Sequence, residues 1–245
     1  MSGNCSLTTE RIENTIMKVC DFVESQKSNA SYWKDFHEKR LWLELVSCIL
    51  GSRVRYETAK ACTIHLNNVG LLEISSILKM VKSVERKMRK ELHRPIYPPF
   101  SSNVGSRYRY PNSRSSYIIS TASRIYGEDD TSIKDILRDC HDGIEARNVL
   151  IEKCKGIGPK QASLFLRNIK FSDDLAILDC HVDRYMRLMK LGERYCAISK
   201  ERVHPYFKRE NVLKLYAISK NRSLATLDIA IWTVMRLIEK EEVVV

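Results

Sequence analysis

Long hydrophobic runs are missing from this chain. Nowhere do about 18 uncharged apolar residues follow one another, so no membrane-spanning helix is expected. The opening residues, Met1-Ser2-Gly3-Asn4-Cys5, show no basic-then-apolar pattern of a secretion signal. The 8 cysteines are scattered, with no C-x-x-C pair, and read as reduced thiols of an intracellular protein (cytoplasm or nucleoid, or nucleus). Cys140-His141 and Cys180-His181 are neighbours, but neither has a second pair at metal-ligand spacing, so no bound metal is expected. Period-2 alternation and internal repeats are also absent, which argues against sheet and solenoid architectures.

What is present is helical periodicity over a basic composition. Lys and Arg outnumber Asp and Glu by 41 to 30, a formal charge of +11, and 44% of residues are hydrophobic, enough for a packed core. Such a surplus points to a polyanion or an anionic membrane surface as partner. Ile12, Ile16, Val19, Cys20 and Val23 share one helical face; Trp42, Leu45, Val46 and Ile49 share another. Leu41, Leu43, Cys48 and Leu50 make that second helix apolar on most sides, as a central helix would be. Ile118, Ile119, Ala122, Ile125 and Tyr126 form a further set. Leu224, Leu227, Ile231, Val234, Met235 and Ile238 form a last stripe, with Ser223 as its cap. The predicted fold class is all-α.

Two stretches depart from the stripes. Between His93 and Ser116 stand Pro95, Pro98, Pro99, Gly105 and Pro111, with Arg94, Arg107, Arg109 and Arg114 among Tyr97, Tyr108 and Tyr110. This reads as a loop, either lining a DNA backbone or simply solvated. Lys200 to Lys220 is charged and reads as a solvated helix.

The most informative stretch is Cys154-Lys155-Gly156-Ile157-Gly158-Pro159-Lys160-Gln161-Ala162-Ser163. Two glycines flanking an apolar residue permit a tight turn between helices, and Pro159 suits the first turn of the second helix. Ile157 would tuck into the hairpin core. The free N–H groups at that helix N-terminus suit a phosphate. The pattern is a helix-hairpin-helix, or else a plain αα-turn. Taken alone, Lys160 is a phosphate-binding lysine or a nucleophile, and Asp179 is the N-cap of the helix through Val182 to Met189, a reactive carboxylate, or both.

The hairpin resembles that of the helix-hairpin-helix (HhH-GPD) DNA glycosylase superfamily. The stretch Ile177-Leu178-Asp179-Cys180-His181-Val182-Asp183-Arg184, with Asp179 19 residues after Lys160, is similar to the superfamily's apolar-Asp-x-His-Val-x-Arg motif. Leu43 to Arg53 is similar to its first barrel helix and the following turn. The wording of Leu175-Ala176-Ile177-Leu178-Asp179 and of Arg107-Tyr108-Arg109-Tyr110-Pro111 is closest to the short archaeal and bacterial 8-oxoguanine DNA glycosylase/AP lyase type.

The resemblance implies two helical lobes, a barrel of residues 39–169 ending in the hairpin and a second lobe of residues 1–38 and 170–245, with the active site in the cleft between them. It implies a bifunctional glycosylase and AP lyase that removes an oxidised purine, 8-oxoguanine first, without a cofactor. The implied partner is double-stranded DNA carrying a damaged base or an abasic site, bound by a monomer. Lys160 would be the nucleophile, forming a Schiff base at C1′. Attack needs the neutral amine, and the positive end of a helix dipole works against the ammonium form. Asp179 would stabilise the positive charge on the sugar and help move protons. Lys155, Gly156, Ile157, Gly158 and Gln161 of the hairpin, with Arg53, Arg107 and Arg109, would contact DNA. His181 reads as a structural residue in the first turn of the helix after Asp179, and Arg184 as a backbone or packing residue.

Three departures qualify the resemblance. Only Cys180 and Cys196 lie beyond residue 178, so the four-cysteine iron–sulfur cluster of the endonuclease III branch is not expected. About 40 residues precede the first shared helix, too few for the extra sheet domain of the longer eukaryotic enzymes. Arg53 stands where the family commonly has Gln or Asn, and Val243-Val244-Val245 offers only apolar side chains. The same chemistry on another modified base, and a non-catalytic DNA-binding hairpin, are the alternatives.

Overall fold

The computed structural model describes residues 8–26, 32–96, 106–195 and 204–241. Two units can be separated, one of Ser31–Phe171 and one of Met1–Ala30 with Ser172–Val245.

The Ser31–Phe171 unit is built around α2 (Glu38–Leu50). Leu41, Trp42, Leu45, Val46, Cys48, Ile49 and Leu50 are all buried, because residues are apolar on most sides of this helix. Around it stand α3 (Tyr56–Asn68), α4 (Ile74–Lys79), α5 (Val81–His93), α6 (Pro111–Ser123), α7 (Ile133–Arg138), α8 (Gly143–Lys153) and α9 (Pro159–Asn168). The unit begins ahead of α2. Trp33 stacks against Phe171 with ring centroids 5.4 Å apart, and the Lys134 ammonium donates to the carbonyls of Lys34 and Phe36 at 2.7 and 3.2 Å. Glu38 accepts from the Tyr126 hydroxyl (2.6 Å) and the N–H groups of Ile133 and Lys134 (2.8 and 3.1 Å), tying the start of α7 to the start of α2.

Among the described residues the only strands are Pro95–Ile96 and Ser106–Arg107, a two-residue antiparallel pair. The proline-rich stretch is therefore not loop up to Ser116. Helix α6 starts at Pro111, in the N1 position where a missing N–H costs nothing. Tyr97, Pro98, Pro99 and Gly105 lie outside the described residues, as do Cys5, Cys196 and Val243–Val245.

The other unit contains α1 (Thr9–Ser25), α10 (Cys180–Leu188), α11 (Leu191–Arg194), α12 (Pro205–Ser219) and α13 (Leu224–Glu241). Ile12, Ile16 and Cys20 of α1 and Leu227, Ile231 and Met235 of α13 share one core. Ser223 caps α13, accepting the Thr226 N–H at 3.2 Å. Helix α12 corrects the expectation of a solvated helix: its Tyr206, Glu210, Leu213, Tyr216 and Ala217 are buried. The Tyr216 hydroxyl donates to Glu13 at 2.7 Å and lies 2.7 Å from the Tyr185 hydroxyl, so the polar groups brought inside with α12 are satisfied. Among the described residues no helix is long and apolar enough to cross a membrane.

Candidate active site

The hairpin between α8 and α9 is set by three local features. The C-cap residue Cys154 is extended, Gly156 has φ +79°, and Gly158 is the extended N-cap of α9 with Pro159 at N1. The turn is anchored to α6 from two sides. The Lys155 N–H donates to the buried Thr121 hydroxyl at 3.0 Å, and the Tyr117 ring lies so close to Gly156 that a Cβ there would sit 2.2 Å from it. Ile157 is buried in the hairpin core. Inside the pair of helices Arg147 donates to Ser163 at 3.3 Å.

The two glycines therefore do different work. Gly156 is required by the fold, being in the left-handed region and against an aromatic ring. Replacing it with Ala should cost about 2–4 kcal/mol, from about 1 kcal/mol of backbone strain and about 1–3 kcal/mol of overpacking. The melting midpoint should then fall by about 5–15 °C, which thermal unfolding followed by circular dichroism would read. Gly158 has no heavy atom within 4 Å of a Cβ built on it. Its bare backbone leaves the N-terminus of α9 open. No side chain caps α9, so N–H groups of its first turn, at Lys160 and Gln161, have no intrahelical acceptor.

Lys160 is the second residue of α9 and is half-buried, whereas Lys155 is exposed. Gln161 is only 5% exposed. Its side chain lies among the buried residues of α9 with Ala162 and Phe165, so a DNA contact by Gln161 falls to its backbone N–H at the turn. Cys154, the nearest thiol in sequence, is buried and pushed up to about 12 by desolvation, which removes it as a competing nucleophile.

Arg53 lies in the turn after α2, in the left-handed region at φ 61°, with its side chain exposed. A non-glycine residue there is strained, and the turn is held by two side chains from the Arg107–Arg114 segment. The Tyr108 hydroxyl donates to the Leu50 carbonyl at 2.7 Å, and Arg114 donates to the Ser52 carbonyl at 3.4 Å. Arg114, expected among the backbone-lining arginines, is buried and also sits over the rings of Tyr110 and Tyr117, at 5.4 and 5.1 Å. Arg107 and Arg109 remain exposed, the latter over Tyr110 at 5.3 Å. The same segment thus supplies both the clamp and two exposed cationic side chains. A surface depression of about 450 Å³ beside the hairpin is lined by Arg124, Lys153 and Lys155 among others, but not by Lys160.

Asp179 belongs to the other unit. It is the N-cap of α10, and its Oδ1 accepts the N–H groups of His181 at 2.9 Å and Val182 at 3.0 Å. The extended segment before it, Leu175–Leu178, is buried without belonging to a sheet. Side chains replace the missing strand neighbours. Glu210 accepts the Ala176 N–H at 3.0 Å, Asp228 accepts the Ile177 N–H at 3.2 Å, and the Tyr206 hydroxyl donates to the Ala176 carbonyl at 2.6 Å. These residues hold the backbone that presents Asp179. His181 packs edge-on to Trp232 with centroids 6.5 Å apart.

The 8-oxoguanine DNA glycosylase family (Ogg-HhH) matches residues 23–222. The 8-oxoguanine DNA glycosylase/AP lyase of Metallosphaera sedula is 32% identical over 200 residues, 79% of this chain and 81% of that protein. The chain belongs to the 8-oxoguanine DNA glycosylase family. The crystal structure of Methanocaldococcus jannaschii 8-oxoguanine DNA glycosylase aligns with TM-score 0.62 at 25% identity, over 91% of this chain and 90% of that one. The same archaeal protein in complex with 15mer DNA containing 8-oxoguanine aligns with TM-score 0.58 at 23% identity, over 91% and 88%, a likeness of fold.

For a glycosylase of this family, Glu210, Asp228 and Tyr206 are the residues that the sequence did not single out. Asp228 carried a signal, since it falls on the apolar stripe of α13 one turn after Leu224, where a carboxylate needs a partner. Glu210 carried none, hidden in a run of charged residues. Asp179, Cys180 and His181 bring potential ligand atoms within 4.8 Å of one another. The positive end of α10 faces that cluster, however, which disfavours a cation.

Proposed function

We propose that this chain is a bifunctional DNA glycosylase and AP lyase that excises 8-oxoguanine from double-stranded DNA, acting as a monomer inside the cell. The observation that carries the reading is Lys160 in the first turn of an uncapped helix, directly after a glycine hairpin with an open backbone. The N–H groups there suit a phosphate of the lesion strand, which would bring the sugar to the amine. The damaged nucleotide must leave the stack, because a lysine cannot reach C1′ inside a closed duplex.

The Lys160 amine attacks C1′; the C1′–N bond breaks, and its electrons leave with the base, which takes up a proton. Ring opening gives an imine between Lys160 and C1′. Loss of the 2′ proton then expels the 3′ phosphate by β-elimination. The imine itself is the electron sink, so the chemistry needs no metal or cofactor. The Asp179 carboxylate stabilises the positive charge on the sugar.

A second reading keeps this chemistry and changes the base, because Arg53 replaces the Gln or Asn common in the family and presents donors to a different opposite base. Borohydride trapping on duplexes carrying 8-oxoguanine, an oxidised pyrimidine or an abasic site distinguishes these. The expected result is a covalent adduct on 8-oxoguanine DNA that disappears in Lys160→Gln. An adduct on the pyrimidine or abasic duplex alone overturns the substrate assignment. Binding without any adduct would leave a DNA-binding hairpin and no enzyme.

A further inference from the structure

Charge is concentrated at one place outside the site. Between Lys79 and Arg94, seven basic residues (79, 82, 86, 87, 89, 90 and 94) stand against Glu85 and Glu91, a balance of 7 − 2 = +5 out of the chain's +11. Most of this stretch is α5, which buries Val84, Met88 and Leu92 at i, i+4, i+8. Lys82, Arg86 and Lys90 repeat with the same spacing two residues out of phase, so they form a row on the opposite, solvent side, and all three are exposed. Arg89 pairs with Glu85, and Arg94 with Glu91. Lys82, Arg86, Lys87 and Lys90 have no carboxylate partner among the described residues.

Helix stability does not account for this row. Like charges at i, i+4 repel one another. The dipole favours a cation at Lys90 near the C-terminus but opposes one at Lys82 in the first turn. We infer that the exposed face of α5 is a second DNA-backbone contact, separate from the hairpin, which takes phosphates outside the lesion site. The row spans about 12 Å, and a duplex carries a charge about every 1.7 Å along its axis, so three cations can each meet a phosphate. This rests on the reading of the chain as a DNA-acting protein. The phosphates belong either to the flank of the damaged duplex or to a second DNA segment.

The test is the salt dependence of binding by the full chain and by Lys82→Gln/Arg86→Gln/Lys90→Gln, on undamaged duplexes of about 15 and about 40 base pairs. The slope of log Kobs against log salt is expected to fall by about 2 to 3, from about 0.9 per lost contact. A fall on both duplexes assigns the contact to the near flank, and a fall on the longer one alone assigns it to distant or second-segment DNA. The melting midpoint of the variant should stay or rise, as repulsion within the row is relieved. Wild-type binding with an unchanged slope in the variant overturns the inference and leaves the glycosylase reading standing. Absence of salt-dependent binding by the wild type overturns both.

Discussion

Lys160→Gln should cut DNA at a rate on the order of 10⁴-fold or more below wild type, about 5.5 kcal/mol in barrier, while binding lesion DNA within a factor of about three. Three features of the hairpin separate this outcome from a loss of fold. Lys160 stands at the second position of α9, where a cation opposes the dipole, so a neutral glutamine should leave stability unchanged or slightly raise it. The hairpin is fixed by Gly156 against Tyr117 and by the Lys155 N–H on Thr121, neither of which involves the Lys160 side chain. The nearby Cys154 thiol is buried and protonated at neutral pH, and cannot take over. Lys155, exposed at the other end of the turn, is the natural control. Single-turnover cleavage and melting of both glutamine variants would decide the matter, and cleavage lost in Lys155→Gln but kept in Lys160→Gln would move the nucleophile.

Much of this was legible locally. The hairpin could be read because a Gly-x-Gly-Pro run specifies its own turn, and Asp179 because an N-cap is a short-range device. The stripe of α13 and the mostly apolar stretch of α2 from Leu41 to Leu50 announced buried helices. What the chain hid were interactions over long sequence separations. Arg114 looks like any loop arginine until its guanidinium is found on the Ser52 carbonyl, 62 positions away. Gln161 follows the lysine and reads as a surface donor, yet it falls on the buried side of α9 with Ala162 and Phe165. Glu210 sits among lysines and arginines and still turns inward to the Ala176 N–H. The left-handed backbone at Arg53 has no local sequence signature at all; it depends on the Tyr108 and Arg114 clamp.

Asp179 offers the sharpest separation of structure from chemistry. Its Oδ1 takes two backbone N–H groups, which an asparagine carbonyl can also do, and Asn is as good an N-cap as Asp. Asp179→Asn should therefore keep stability within about 0.5 kcal/mol, whereas Asp179→Ala should lose about 1 kcal/mol, a shift of about 2–4 °C in midpoint. Both remove the negative charge. If the carboxylate stabilises the cationic sugar, both should slow base release by on the order of 10²–10³-fold, irrespective of their different stabilities. The segment leading to Asp179 is pinned by Glu210, Asp228 and Tyr206, so the cap position persists in either variant and the comparison stays clean. Single-turnover excision set beside thermal melting for the two variants is the measurement. Full activity in Asp179→Asn with loss only in Asp179→Ala would reduce the residue to a helix cap, and the charge stabilisation would have to come from elsewhere in the site.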